Sequence, residues 1–324
     1  MKILVTGSSG FIGSHLVEHL VSQNYKVIAF DRYNSNNDLG WLESSKFRNK
    51  INFVLGDIRD YDSVFKSMKG CDAVIHLAAL IGIPYSYFSP TAYVKTNIEG
   101  TLNVLEAAKN LKMKQVIVTS TSEVYGSSLN GKLKEKDELK AQSPYSASKI
   151  AADQLSLSYH RSFNLPVKII RPFNTFGPRQ SARAVIPTIL TQVLTSKKIN
   201  IGNLEAIRDF LYVSDLCSAY EKILKNKKFI GEIINVGAER EISIRDLIKK
   251  ILKITKLKLS IKVDKKRIRP LKSEVTRLKC DNSKLKKNTN WKVKVNLETG
   301  LKHFIEWLKK DKNLKYYKSD KYNI

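Results

Sequence analysis

The stretch that decides the fold is "VTGSSGFIGSHL", residues 5–16. Gly7, Gly10 and Gly13 follow the spacing G-x-x-G-x-x-G between a short apolar run and an amphipathic one. Glycines allow a tight turn and a close approach of the backbone to a pyrophosphate, which then lies at the N-terminus of the following helix. A lone glycine pattern is a weak signal, but its position between a strand and a helix makes it a strong one. The stretch therefore predicts a dinucleotide site, against the alternative of a tight turn that binds nothing.

A carboxylate at the end of the second apolar run indicates which dinucleotide is bound. Asp31 lies 18 residues past Gly13, where a carboxylate accepts hydrogen bonds from the adenosine ribose and repels a 2′-phosphate. This favours NAD over NADP, but Arg32 follows at once and is able to accommodate that phosphate. Asp57 ends the third apolar run and is expected either to meet the adenine or to cap a turn. The predicted cofactor residues are Gly7, Gly10, Phe11, Ile12, Gly13, Asp31, Arg32, Asp57, Ile58, Leu77, Ala78, Ala79, Tyr145 and Lys149.

The first half of the chain alternates short apolar runs with longer amphipathic ones. The apolar runs are rich in Val and Ile and lack strict polar alternation, which is typical of strands buried on both faces of a parallel sheet. The alternation predicts right-handed crossovers and a Rossmann-like, doubly wound α/β fold. The expected strands are 2–7, 26–31, 51–57, 72–79, 115–120 and 167–172, and the expected helices are 10–24, 62–70, 93–111 and 145–164.

The pattern changes near Arg171, where "RPFNTFGPRQ" is expected to leave the sheet as a loop. We expect the cofactor domain to span 1–173, with about 207–236 returning to it as a helix and a strand. A smaller C-terminal α/β substrate domain is expected over 174–206 and 237–312. Residues 313–324 are polar and tyrosine-rich, which predicts a frayed tail.

Composition argues against several classes of protein. The chain has 324 residues, 42% of them hydrophobic, and a formal net charge of +27. The positive charge is mostly lysine along predicted helices, without interleaved aromatic residues to stack on bases, so a nucleic-acid partner is not expected. No apolar run reaches the roughly 20 residues of a membrane span. The three cysteines show no C-x-x-C pairing, which argues against a metal or disulfide scaffold, so we expect a soluble cytoplasmic protein without a metal site.

Two further motifs carry candidate catalytic residues. "YSASK" places Tyr145 and Lys149 four residues apart on one helix face. The charges of the lysine and of a bound nicotinamide are expected to lower the tyrosine pKa, so that the phenol removes a proton from a sugar hydroxyl. "STSEVYG" ends another apolar run and supplies two hydroxyls and a carboxylate, Thr121, Ser122 and Glu123.

Together with "HLAAL", "RPFNTFGPRQ" and "RDFLYVSD", these motifs resemble those of the extended short-chain dehydrogenases/reductases that modify nucleotide sugars. In that group, epimerases carry small residues before "VYG", whereas 4,6-dehydratases carry Thr-Asp-Glu. This chain reads Thr-Ser-Glu, so it keeps the glutamate and loses the aspartate. The resemblance implies a nucleotide-sugar 4,6-dehydratase. A 4-epimerase is the alternative among enzymes, and an NAD-binding scaffold without catalysis is the alternative outside them.

A 4,6-dehydratase oxidises C4 of a hexose, removes the C5 proton that the new ketone acidifies, expels water from C6 and returns the hydride to C6. The resemblance implies that Thr121 hydrogen-bonds the C4 oxygen beside Tyr145, and we expect Glu123 to remove the C5 proton. The family's aspartate protonates the leaving C6 hydroxyl, and a serine hydroxyl is a poor acid. We therefore expect Glu123 to relay its proton to C6, with Ser122 either orienting that hydroxyl or a water, or acting only as a spacer.

The resemblance also implies residues that bind the sugar nucleotide. Guanidinium groups match pairs of phosphate oxygens, and the expected substrate residues are Asn174, Arg183, Arg208, Arg269 and Tyr85. For Arg183 a surface salt bridge, and for Tyr85 a packed loop, remain alternatives. Residues 143–189 are similar to the dehydratases of legionaminic acid pathways, which implies GDP- or UDP-N-acetylglucosamine as the substrate.

Two predicted helices, 92–110 and 145–163, have apolar positions to spare beyond one face. In the family such helices pair across a two-fold axis as a four-helix bundle. The resemblance therefore implies a homodimer.

Overall fold

Seven parallel strands form the central sheet of this computed structural model, which describes residues 1–128, 131–310, 313–318 and 322. The strands are β1 (Lys2–Thr6), β2 (Lys26–Arg32), β3 (Ile51–Gly56), β4 (Ala73–His76), β5 (Gln115–Thr119), β6 (Val167–Pro172) and β10 (Ile233–Val236). They lie in the order β10-β6-β5-β4-β1-β2-β3, and each neighbouring pair is parallel. Because the order reverses beside β1, a crevice opens at the carboxyl ends of β1 and β4. This confirms the Rossmann-like, doubly wound fold.

Helices cover both faces of the sheet because each strand is apolar on both sides. Ile3 and Val5 contribute to one buried layer, whereas Leu4 between them contributes to the other. The helices are α1 (Phe11–Ser22), α2 (Tyr61–Met68), α3 (Ile83–Phe88), α4 (Pro90–Tyr93), α5 (Gly100–Asn110), α6 (Pro144–Phe163), α7 (Val185–Thr195), α8 (Val213–Lys225), α9 (Ile244–Thr255), α10 (Ser283–Asn288) and α11 (Leu297–Lys309). Within the described ranges, no helix combines the length and the apolar character of a membrane span.

The helix expected over 93–111 is interrupted by a π-helical stretch, Val94–Glu99. This widened turn turns the buried side chain of Asn97 toward the active-site side of the fold. The Asn97 amide donates to the Leu80 carbonyl and to the Ser148 hydroxyl, both at 2.9 Å, and accepts from the Leu80 N–H at 2.8 Å. The π stretch therefore ties the segment after β4 to α6, the helix that carries "YSASK".

Two expectations for the second half are wrong. The segment 171–180 is not all loop, since β6 runs to Pro172 and β7 follows at Asn174–Phe176. The helix expected at the start of the returning segment 207–236 begins only at Val213, because the apolar run before it forms β9 (Ile207–Tyr212). β9 pairs with β7 and with β11 (Glu241–Ser243) in a separate three-stranded sheet. β8 (Lys198–Ile201) and β12 (Ser260–Val263) form a further two-stranded sheet, and among the described strands after β7 only β10 returns to the central sheet.

The prediction of a frayed tail is wrong for residues 313–318. Tyr317 is 9% exposed and donates its hydroxyl proton to the Gln180 carbonyl at 2.9 Å. The Tyr316 ring packs edge-on against Trp41 at 5.1 Å between centroids. Aromatic burial outweighs the polarity of the segment, so it packs back on the domain. Residues 311, 312, 319–321, 323 and 324 lie outside the described part of the chain.

Candidate active site

A cavity of about 1100 Å³ lies at the carboxyl edge of the central sheet and extends to the C-terminal sheets. Apart from Ser122, all residues that the sequence analysis placed in the cofactor, catalytic or substrate sets line this one cavity. The reason is topological, since parallel strands end at a common edge and their following loops converge there.

The glycine loop has no space for side chains. Gly7 has a left-handed φ of +67°, and a Cβ added to it would lie 2.8 Å from the Ala78 nitrogen. A Cβ at Gly13 would lie 2.0 Å from the Gly7 carbonyl oxygen. These contacts hold β1, the loop after β4 and the first turn of α1 together. Gly10 lies immediately before α1 and lines the cavity, so the unpaired N–H groups of that helix face a site suited to a pyrophosphate.

Asp31 and Asp57 occupy the outer end of the cavity. The Asp31 carboxylate accepts the Ser9 N–H at 2.6 Å and the Arg32 N–H at 2.7 Å, which fixes its position beside the glycine loop. Asp57 accepts the Arg59 N–H at 2.9 Å, so it caps a turn as well as lining the cavity. Its hydrogen bonds to the Arg59 side chain lower the pKa of Asp57.

Thr121, Glu123 and Tyr145 meet at the inner end of the cavity. Thr121 precedes the 3-10 turn Ser122–Tyr125, and its hydroxyl accepts the Glu123 N–H at 3.2 Å. The same hydroxyl lies near enough to the Tyr145 side chain to lower its pKa. The Glu123 carboxylate lines the cavity close enough for its charge to act on both Tyr145 and Arg208. A carboxylate, a phenol and a hydroxyl therefore face one space.

Ser122 does not share that space. Its side chain is 2% exposed and is not among the described groups that line the cavity. Successive residues of a 3-10 turn point about 120° apart, so Ser122 is directed into the protein when Glu123 is directed into the cavity. The geometry favours the spacer alternative for Ser122 over a role in orienting the C6 hydroxyl.

In the protein without NAD the pKa of Tyr145 is raised, and the lowering expected from Lys149 together with a bound nicotinamide stays a prediction. Burial raises the pKa of Tyr145, and the Thr121 side chain opposes that shift. The Lys149 ammonium group donates to the Thr119 carbonyl at 2.6 Å. Burial also lowers the pKa of Lys149, to about 8. The phenol thus keeps its proton in the free protein.

Two arginines from distant segments converge on one carboxylate. Arg208 is 6% exposed and lies 3.3 Å from Glu274, and Arg269 lies 4.0 Å from the same side chain. The Arg269 Nη1 and the Asn174 Oδ1 are buried without a hydrogen-bond partner. Two guanidinium groups that share one carboxylate leave an excess positive charge, which suits a diphosphate.

Arg183 and Tyr85 lie near the catalytic residues. The Arg183 Nη1 is so close to Gly82 that a Cβ there would lie 2.5 Å from it, and the Arg183 charge opposes the rise in the Tyr145 pKa. Arg183 forms no ion pair among the described residues, so the surface salt-bridge alternative is not observed. Tyr85 is 41% exposed and stands 6.1 Å from the Tyr93 ring.

Sequence reasoning missed the aromatic wall of the cavity. Trp41, Tyr316, Tyr317 and Tyr322 line it, although they lie far from every recognised motif. Trp41 donates its backbone N–H to the Ser9 carbonyl at 3.4 Å, which couples this wall to the glycine loop. Only the excess of tyrosine near the C-terminus hinted at these contacts.

Comparison with known proteins agrees with the geometry. Residues 4–304 match a family model described as GDP-mannose 4,6 dehydratase. The dTDP-D-glucose 4,6-dehydratase of Dictyostelium discoideum is 40% identical over 275 residues, which cover 78% of this chain and 62% of the relative. The human dTDP-D-glucose 4,6-dehydratase is 32% identical over 321 residues, covering 96% of this chain and 90% of the relative. The chain thus spans less than two-thirds of the Dictyostelium relative.

Two solved structures are similar to this chain along almost its whole length. The dTDP-glucose 4,6-dehydratase from Bacillus anthracis in complex with NAD has a TM-score of 0.86 and 30% identity, and covers 97% of this chain and 98% of its own. The UDP-glucuronic acid 4-epimerase from Bacillus cereus in complex with its substrate and NAD has a TM-score of 0.87 and 32% identity, with coverage of 95% and 99%. Both hold NAD, which supports the prediction of NAD over NADP.

The glycine loop gives a matched pair of variants. Gly13→Ala is expected to lower the free energy of unfolding by about 1–3 kcal/mol, because the new methyl group would collide with the Gly7 carbonyl. Gly10→Ala is the control, since its Cβ would lie at an ordinary 3.4 Å from the same oxygen. Urea denaturation measures both, and a Gly13→Ala protein as stable as the parent would contradict this account of the loop.

Proposed function

The chain belongs to the GDP-mannose 4,6 dehydratase family of extended short-chain dehydrogenases/reductases, and we propose that it is an NAD-dependent nucleotide-sugar 4,6-dehydratase. The observation that carries the proposal is the Glu123 carboxylate in the cavity beside Tyr145. A dehydratase needs a base for the C5 proton, whereas a 4-epimerase needs none.

The residues at the outer end of the cavity fit NAD. The N–H groups at the start of α1 face the space left by the glycine loop, and Asp31 is fixed where ribose hydroxyls would meet it. Leu77, Ala78 and Ala79 present a small-residue surface along the cavity between these groups and Tyr145. Held by these residues, NAD would supply the hydride acceptor for C4 of the hexose and the hydride source for C6.

Proton transfers fall to the residues at the inner end. Tyr145 acts as a phenolate, which the Thr121 side chain and the Arg183 charge stabilise; it takes the proton of the C4 hydroxyl and becomes a neutral phenol. Glu123 then removes the C5 proton. Since Ser122 lies away from the cavity, the protonated Glu123 is also the donor to the departing C6 hydroxyl. One carboxyl group thus acts as base and then as acid.

We further propose that the substrate is GDP- or UDP-N-acetylglucosamine. Arg208, Arg269 and the unpartnered Asn174 oxygen form a polar region that suits the diphosphate and ribose. Arg183 and Tyr85 lie closer to Tyr145, where the hexose would lie. The proposal for the sugar itself rests on the resemblance of residues 143–189 to the legionaminic acid dehydratases.

A 4-epimerase is the second candidate, because an epimerase structure matches this chain as well as a dehydratase structure does. A panel of GDP-, UDP- and dTDP-sugars, read by mass spectrometry, separates the two. A dehydratase product loses the mass of one water, whereas an epimerase product keeps the substrate mass. We expect loss of water, with N-acetylglucosamine nucleotides turned over fastest, and an unchanged mass would overturn the proposal.

Glu123→Gln is expected to reduce dehydration by about 10²–10⁴-fold, because the amide neither accepts the C5 proton nor donates one to C6. Oxidation at C4 is expected to persist, since Tyr145 remains, and the absorbance of reduced nicotinamide under single-turnover conditions measures it. Ser122→Ala is the matched control, and near-parental dehydration is expected of it. Parental dehydration by the Gln variant would contradict the role of Glu123.

We also propose a cytoplasmic homodimer. Cys71, Cys217 and Cys280 are free thiols, which suits a reducing compartment. Leu102 on α5 and Phe163 on α6 are 38% and 52% exposed, as an unpaired apolar face requires.

Sedimentation velocity tests the dimer. The parent is expected to sediment with twice the mass of one chain, and Leu102→Glu with Phe163→Glu is expected to shift it to the monomer, because buried charges oppose pairing. Leu257→Glu, at a 43% exposed position after α9, is the control and should leave the dimer intact. A monomeric parent at working concentration would contradict the proposal.

A further inference from the structure

A fully buried carboxylate lies one helical turn beyond Lys149. Asp153 is 0% exposed and follows Lys149 by four residues on α6, so both side chains lie on the same helix face. The Asp153 Oδ2 accepts hydrogen bonds from the Arg171 side chain, 3.0 Å from Nε and 2.9 Å from Nη2. Nothing in the reaction assigned above uses Asp153 or Arg171.

Arg171 is itself held in a rigid frame. Its Nη1 donates to the Tyr125 hydroxyl at 2.8 Å, and its guanidinium lies 4.8 Å from the centre of the Tyr125 ring. The Tyr125 hydroxyl donates to the Asn235 Oδ1 at 2.8 Å, which connects the network to β10. These contacts fix the Arg171 side chain beside Asp153. The Asp153 carboxylate therefore also has a fixed position behind the active site.

Lys149 needs a negative charge nearby. It is 3% exposed, and its one described hydrogen bond goes to the neutral Thr119 carbonyl. Burial lowers the pKa of Lys149 to about 8, and the charge of Asp153 acts in the opposite direction. From β4, His76 also faces the ammonium group; burial first and the Lys149 charge second lower its pKa to about 3. Tyr145 on α6 and Arg171 on β6 carry no negative charge, so Asp153 is the only anion among the described neighbours.

Stability alone does not explain this arrangement. A buried ion pair often contributes no more than well-packed apolar residues of the same volume, because desolvation offsets the attraction. The Asp153 carboxylate also keeps one oxygen, Oδ1, without a hydrogen-bond partner. The Asp153 charge acts on a second cation besides Arg171, and Lys149 is that cation.

We propose that Asp153, clamped by Arg171, is a positioning residue whose charge keeps the buried Lys149 side chain protonated at the end of β5, beside Thr121 and Tyr145. The placement rests on the geometry of this chain, and only its catalytic consequence rests on the proposed function. Without the carboxylate, Lys149 and Arg171 would be two buried cations, and Lys149 would release its proton near neutral pH.

A double-mutant cycle in protein stability tests the coupling directly. Asp153→Asn, Lys149→Met and the double variant are unfolded in urea at pH 7 and at pH 10. At pH 7, Asp153→Asn is expected to raise the unfolding equilibrium constant by a certain factor in the Lys149→Met background. With Lys149 present, that factor is expected to be about tenfold larger. At pH 10 the coupling is expected to vanish, because the amine is then neutral in the folded protein. Additive losses at pH 7 would overturn the proposal.

Tyr125→Phe with Lys149→Met is the matched control cycle. It removes one hydrogen bond of Arg171 but leaves the Asp153 charge, so additive effects are expected at both pH values. If Asp153→Asn does not fold because Arg171 is left unpaired, the cycle is repeated in an Arg171→Gln background. Coupling at pH 7 is expected there too, and its absence would again overturn the proposal.

The pH profile of turnover supplies a second readout. The limb on which Lys149 loses its proton is expected to move to lower pH by about one unit in Asp153→Asn, and Asp153→Glu is expected to restore it in part. Tyr125→Phe should not move that limb. A slower Asp153→Asn enzyme with an unmoved limb would mean that the network is merely structural. If no sugar nucleotide is turned over, the proposed function fails, whereas the unfolding cycle still decides the role of Asp153.

Discussion

The contact between Gly13 and the Gly7 carbonyl is the constraint on which the rest of the site depends. A side chain at either position would collide with backbone, so glycine there lets β1 turn tightly into α1, whose N-terminal residues line the cavity. The same close packing presses Gly7 against Ala78, which joins the end of β1 to the end of β4. The crevice of a doubly wound sheet exists wherever the order reverses, but here these glycines leave it open to a ligand.

The ionisable side chains at the inner end of the cavity are buried. Burial raises the pKa of Tyr145 and lowers that of Lys149, so desolvation drives both groups toward their neutral forms. Local contacts oppose this, through Thr121 at the phenol and Asp153 at the amine. The site therefore owes its protonation states to specific neighbours, and each neighbour is fixed by an element of the sheet. This accounts for the long buried network from Asp153 through Arg171 to β10.

The turn after β5 points the side chains of three consecutive residues in different directions. Thr121 caps the turn and meets Tyr145, Glu123 faces the cavity, and Ser122 points inward. A residue at the Ser122 position that is to act on substrate needs either a longer side chain or a different turn. This chain has neither, which is consistent with a single carboxyl group carrying both proton transfers in the proposed reaction.

The sequence by itself determined the doubly wound fold and the glycine-loop end of the cavity, because glycine spacing and strand–helix alternation are local patterns that few tertiary folds satisfy. It pointed to Asp31 and Tyr145 by type and spacing, and to Glu123 and the arginines with the help of the family resemblance. It could not determine the direction of the Ser122 side chain, the sign of the Tyr145 pKa shift or the packing of the tyrosine-rich tail. Those depend on which groups burial brings together from distant parts of the chain, as between Trp41 and Tyr316 or Arg208 and Glu274. Only the tertiary structure decides them, since desolvation and through-space charge have no signature in local sequence.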